Sequence, residues 1–167
     1  MLYRIKQFML GILSYFEDDN INFIDKYLSK KEKELFMKLK KPDRMHSLRV
    51  CKEAIILVRD YNDLDEYKMA KCALLHDIGK IEISLNIIEK GIVVILNKVT
   101  KGSFLKYNKY SRVTKYYDHP KIGKKLLENI KFDDNEVLYC IENHHNNLEL
   151  IEKNIYLSIL NICDNRN

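Results

Sequence analysis

The stretch KCALLHDIGKIE, residues 71–82, decides how this chain is read. An apolar run ends abruptly in a histidine, an aspartate and, after Ile78 and Gly79, a lysine. Extended backward to NDLDEYKMAKCALLHDIGK, the segment places Met69, Cys72, Ala73, His76 and Asp77 at i, i+3, i+4, i+7 and i+8. That spacing is the apolar stripe of an amphipathic helix, so His76 and Asp77 point where core residues point. Asp63 followed by Glu66 predicts a capping box, and Gly79 a C-terminal stop. Two readings follow for the polar pair: a solvated helix end behind a core segment, or a cation that other parts of the chain also ligate.

The rest of the chain reads as helix. Residues 2–16 carry Leu2, Ile5, Met9, Ile12 and Phe16 on one side, and KEKELFMKLK (31–40) predicts a second helix ending before Pro42. DRMHSLRVCKEAIILVRDY (43–61) has a stripe of His46, Val50, Ala54 and Leu57. Residues 81–99 fit helix or strand, and TKGSFLKYNKYSRVTKYYD (100–118), basic and aromatic without a period, reads as a loop or lid. HPKIGKKLLENI then opens a helix with Pro120 in its first turn. DDNEVLYCIENHH is another, capped by Asp133 with Glu136, and has Val137, Ile141, His144 and His145 on one face. The last, NIYLSILNICDNR, presents Leu157, Leu160, Asn161 and Asp164.

With only five glycines and two prolines, composition also favours helix over a turn-rich sandwich or barrel. The 167 residues, 46% hydrophobic and 32% charged, suffice for one domain with a real core. A net charge of +5 suits attraction of a phosphate-bearing small molecule and falls short of a dedicated nucleic-acid binder. Cys51, Cys72, Cys140 and Cys163 form no CxxC pair, and read as small buried hydrophobes in a reducing cytoplasm. Arg4 and Lys6 interrupt the N-terminal apolar run, against a signal peptide. No apolar run reaches the roughly 20 residues of a membrane span. The expectation is a cytoplasmic, all-α bundle of about seven helices, with a helical extension over 1–42 and the main domain over 43–167. Its assembly is left open between monomer and homodimer.

One feature recurs when the stripes are set side by side. His46, His76, Asp77, His144, His145 and Asp164 fall on core-facing sides, and His119 opens the helix between. An unpaired carboxylate in a core costs several kcal/mol, and two cost more. A shared divalent cation removes that cost, because carboxylate and imidazole are what such ions bind.

The pieces HSLRV at His46, LLHDIGK at His76 and Asp77, DHPKIGKKLL at His119, NHH at His144 and His145, and ICDNR at Asp164 resemble the HD-domain superfamily of metal-dependent phosphohydrolases, in its HDIG-type variant. The resemblance covers about 43–167 and includes the ordered set His, His-Asp, His, His, Asp. It implies that His46, His76, Asp77 and Asp164 hold one divalent metal, and that Asp77 bridges to a second on His119 and His144. His145 would be a further ligand or a substrate contact. Fe, Mn, Mg, Ni and Zn are the candidate ions. Lys80 is similar to the lysine of the HDxxK pattern that meets a phosphate oxygen, so Asp77 and Lys80 are the candidate catalytic pair.

Arg49, Arg112 and Lys115, with Lys106 and Lys109, are candidates for holding substrate phosphate, and the neighbouring tyrosines for stacking on a base. The implied reaction is hydrolysis of a phosphate ester or phosphoanhydride of a nucleotide-like substrate by water activated on metal. A di-iron oxygenase and a non-catalytic nucleotide-sensing domain are the alternatives. The stretch NNLELIEKN after NHH lacks the GYP of the cyclic-di-GMP phosphodiesterase branch.

Overall fold

The computed structural model describes residues 9–10, 12–82, 100 and 111–167, with side chains in the last stretch from Tyr117 onward. The readings made for 83–99 and for 101–110 lie outside the described residues. Eight α-helices are present among them: α1 (Ile21–Tyr27), α2 (Lys30–Phe36), α3 (Lys41–Val58), α4 (Glu66–Leu75), α5 (Ser111–Asn129), α6 (Asn135–Asn143), α7 (Leu148–Glu152) and α8 (Ile155–Arg166). Two 3-10 helices, Ser14–Phe16 and Ile78–Glu82, accompany them, and there is no strand among the described residues. The expected all-α bundle is thus present. None of these helices is long and apolar enough to cross a membrane.

α4 lies at the centre. It packs against α3, α6, α8 and α1, while α5 covers the 3-10 turn that follows it. The first turn of α4 and Lys71 reach the surface, while Met69, Ala70, Cys72, Ala73, Leu74 and Leu75 are all fully buried, as a helix covered on most sides requires. Ile24, Phe36, Leu39, Val50, Ile141 and Leu157 close the same core from the surrounding helices.

Local signals start and stop these helices, with several shifts from expectation. The N-cap of α4 is Asp65, whose carboxylate accepts from the Tyr67 and Lys68 amides at 2.7 and 3.4 Å. That of α6 is Asp134, accepting from Glu136 and Val137 at 3.0 and 3.1 Å. The boxes expected from Asp63 and Asp133 do not form, because their glutamates are drawn into other pairs. Glu66 accepts from Tyr27 and Arg59, and Glu136 from Lys68 and Asn154. A capping box does form at Ser29 with Glu32.

Pro42 sits in the first turn of α3, where its missing N–H costs nothing. Pro120, expected in a first turn, instead lies inside α5. Residues 111–118, read as part of a loop, are the beginning of that helix. They lack an apolar period, so pattern alone did not announce a helix. At the N-terminus Leu2 and Ile5 lie outside the described residues, while Met9, Ile12 and Phe16 are exposed.

Glycines matter at one contact. Gly79 does not end α4; it lies in the 3-10 turn beyond. A Cβ placed on it would stand 2.0 Å from the His119 carbonyl oxygen and 2.7 Å from the Gly123 nitrogen. Backbone therefore meets backbone where α5 crosses the turn. α5 itself ends in a Schellman arrangement, Phe132 N–H to Leu127 C=O at 3.1 Å and Lys131 N–H to Glu128 C=O at 2.9 Å. Lys131 takes the left-handed position there with φ 63°, at a cost of about 1–2 kcal/mol relative to glycine.

Gly79→Ala should destabilise by on the order of 3 kcal/mol through overpacking. For a chain of this size that lowers Tm by about 6–12 °C in a thermal melt, and an unchanged Tm would refute the backbone contact. A second expectation concerns acid. The hydrogen bond from Tyr27, then those from Arg59 and Lys26, hold the Glu66 carboxyl down to about 2 from an ordinary 4.5. Its contribution is complete above 4.5 and lost as pH falls toward about 2. Acid titration of stability should therefore be shallower across that window in Glu66→Gln than in the wild type.

Candidate metal centre

Five elements deliver the polar residues singled out in the sequence. His46 comes from α3, His76 caps the C-terminus of α4 with Asp77 next to it, His119 sits inside α5, His144 caps α6, and Asp164 is in the last turns of α8. His76, Asp77, His119 and His144 are buried; His46 and Asp164 are mostly covered. His145, expected with them, is exposed as a residue at the edge of the cluster, but its ring packs against those of His119 and His144.

The two capping histidines are oriented alike. The Nδ1 of His76 lies 2.8 Å from the Ala73 carbonyl, and the Nδ1 of His144 lies 2.7 Å from that of Ile141. Each ring thereby satisfies a carbonyl that the helix end leaves open, and each turns its Nε2 inward. This orienting contact is made by backbone three residues earlier, so only the placement of a histidine just past a helical run could have signalled it.

Around Asp77 the distances are short. Oδ1 is 3.1 Å from His119 Nε2 and 3.9 Å from His144 Nε2. Oδ2 accepts from Lys80 Nζ and lies 3.4 Å from His76 Nε2. Asp164 Oδ1 is 2.9 Å from His46 Nε2 and 3.8 Å from His76 Nε2. The donor atoms thus form two groups that share one carboxylate: Asp77 with His119, His144 and His145, and Asp77 with His46 and His76, the atoms of each within 4.8 Å of one another.

Three observations fit these groups to divalent metal. First, His76 Nε2 and Asp77 Oδ1 are buried with no hydrogen bond made to them, although most buried polar atoms are satisfied. Second, His119 Nε2 and His144 Nε2 lie 3.2 Å apart. With its Nδ1–H on Ile141, a neutral His144 brings only a lone pair to that meeting, which either a metal ion or an Nε2–H on His119 would satisfy. Third, α4, α6 and α8 all end at this cluster, and helix C-termini carry partial negative charge that favours a cation.

Electrostatics agree. Burial opposes charge on Asp77, but Lys80, His76 and His119 outweigh it and hold the carboxyl well below its ordinary value. Burial likewise opposes charge on Asp164, and His46 and His76 overcome it. Burial and the neighbouring imidazoles push His144 well below 6.5 and His145 to about 4, leaving both neutral as ligands must be. For His76, burial is outweighed by Asp77 and Asp164, and its pKa is raised; bound metal would take the place of that proton.

Not every candidate joins the cluster. Arg49 is one turn along α3 from His46, with its guanidinium 3.3 Å from the Glu17 carboxylate. The side chains of Arg112 and Lys115 lie outside the described residues, although their backbone belongs to α5. The close approach of Gly79 and Gly123 was not read from the sequence, because nothing in their spacing announces that two backbones touch.

The fold and this cluster together define an all-helical protein with a buried His/Asp site of the metal-binding kind. A family model described as the HD domain matches residues 44–166, and the chain belongs to that family, within the metal-dependent phosphohydrolase superfamily. The match spans every member of the cluster from His46 to Asp164. No curated protein and no solved structure matches the chain.

Asp77→Ala should abolish metal retention in both groups, measured by elemental analysis of the purified protein. Chelation should lower the Tm of the wild type and leave that of the variant unmoved, since a ligand stabilises only the state that binds it. Full metal content in Asp77→Ala would contradict a shared carboxylate.

Proposed function

We propose that the protein hydrolyses a phosphate ester or phosphoanhydride of a nucleotide-like substrate at a dinuclear site bridged by Asp77. The observation that carries this reading is the pair of donor groups meeting on one carboxylate. One seat would be His46, His76, Asp77 and Asp164, and the other Asp77, His119 and His144 with His145 at its open edge. Divalent metal bound there supplies activated water near neutral pH and neutralises charge on the phosphoryl oxygens.

The chain's own groups do the positioning. Lys80 Nζ rests on Asp77 Oδ2 and is only slightly exposed, so an arriving phosphate oxygen would meet an ammonium already held in place. Arg49, three residues past His46, rests against Glu17 and would have to leave that carboxylate to meet phosphate. By register Lys115 and Arg112 stand four and seven residues before His119 on the same helix, which puts them one and two turns along it. The buried rings of His76, His119 and His144 exclude bulk water and strengthen every charge interaction at the site.

Protein loaded with Mn²⁺ or Fe²⁺ should release phosphate, or a phosphorylated fragment, from some member of a nucleotide and dinucleotide panel. In Lys80→Ala, kcat should fall by about 10²-fold or more, the usual loss of one electrostatic stabiliser, with metal content retained. Metal-loaded wild type that leaves the whole panel intact, or that consumes oxygen instead, would sink the hydrolytic reading.

A further inference from the structure

Away from the His/Asp cluster, α2 and the turn that ends α5 border an open surface cavity of about 330 Å³, whose charged residues are exposed. Lys31 and Lys38 line it from α2 and the turn after it, and Lys131 from the end of α5. Glu34 is the one carboxylate on its wall, and Leu35 with Ile130 gives an apolar floor. Other lysines nearby are paired: Lys33 with Asp25 and Lys71 with Glu32. Among the described residues Lys31, Lys38 and Lys131 have no such partner.

Lys131 adds an independent observation. It holds the left-handed position of the Schellman turn, φ 63°, where glycine or asparagine serves at least cost. The chain places a cation on the cavity wall instead of the residue the turn favours.

We infer that this cavity binds a small oligophosphate anion. Three ammonium groups against one carboxylate call for a ligand with several negative charges, and lysine meets phosphate oxygens as a point charge from separate directions. The seat is distinct from the metal centre: Asn129 on its wall is ten residues along α5 from His119, about 15 Å at 1.5 Å per residue. It therefore stands whether or not the hydrolytic reading does.

The test is calorimetric titration of the full chain with sodium triphosphate at fixed ionic strength. Lys131→Gly gives the turn its preferred residue, so Tm should hold or rise while triphosphate affinity falls by about fivefold or more, the effect of losing one partly exposed charge contact. Lys38→Gln should weaken binding similarly, and Glu34→Gln should tighten it. A purely structural lysine at 131 would change Tm and leave affinity alone. Absence of binding by the wild type at millimolar triphosphate overturns the inference. So does equal affinity in wild type, Lys131→Gly and Lys38→Gln, which would place any bound triphosphate elsewhere, the metal centre included.

Discussion

The Asp77 carboxylate, buried at the C-terminal end of α4 and bordered by three imidazoles and the Lys80 ammonium, is the group the rest of the architecture serves. A carboxylate removed from water needs positive charge close by, and the end of a helix dipole adds repulsion instead of relief. α3, α5, α6 and α8 each bring a side chain to this point, and three helices of the bundle end there. Such convergence is costly for an apoprotein and natural for a cation site. Membership in the HD domain family accords with this physics without being needed for it.

Two kinds of contact place His76, His144 and His119, and neither is a side-chain pair. The Nδ1 atoms of His76 and His144 are anchored on carbonyls of their own helices, which fixes the ring orientation and leaves Nε2 as the inward atom. Outer contacts of this type commonly set the tautomer and direction of a metal-binding histidine. His119 is placed differently, by the crossing of α5 over the 3-10 turn. Because Gly79 and Gly123 let the two backbones touch, His119 comes within 3.1 Å of Asp77.

Much of this was legible beforehand. The i, i+3, i+4, i+7, i+8 stripe from Met69 to Asp77 is buried along its whole length, because a central helix leaves a polar residue nowhere else to point. His46, His144 and Asp164 were placed by the same stripes, whereas His119 was read only as the opening of its helix and lies inside α5. What failed was local. The caps moved from Asp63 and Asp133 to Asp65 and Asp134, since Glu66 and Glu136 have better partners across the bundle than at their own helix ends. The start of α5 was read as loop because Ser111–Tyr117 shows no apolar period, and Pro120 inside that helix points the wrong way for any rule based on sequence neighbours. His145, read onto the same stripe as His144, sits at the exposed rim because α6 has stopped at Asn143, yet it stays within the donor group.

The chain alone therefore determined the class of fold and the chemical identity of the cluster. Both are written in short-range order: helical spacing of apolar residues, and imidazole and carboxylate groups set into those stripes. Tertiary structure alone decided which groups share Asp77, which nitrogen of each ring faces inward, and that Lys31, Lys38 and Lys131 meet around one cavity. Those outcomes depend on how helices cross, and crossing is governed by backbone approach and packing between residues far apart in sequence, which no local pattern encodes.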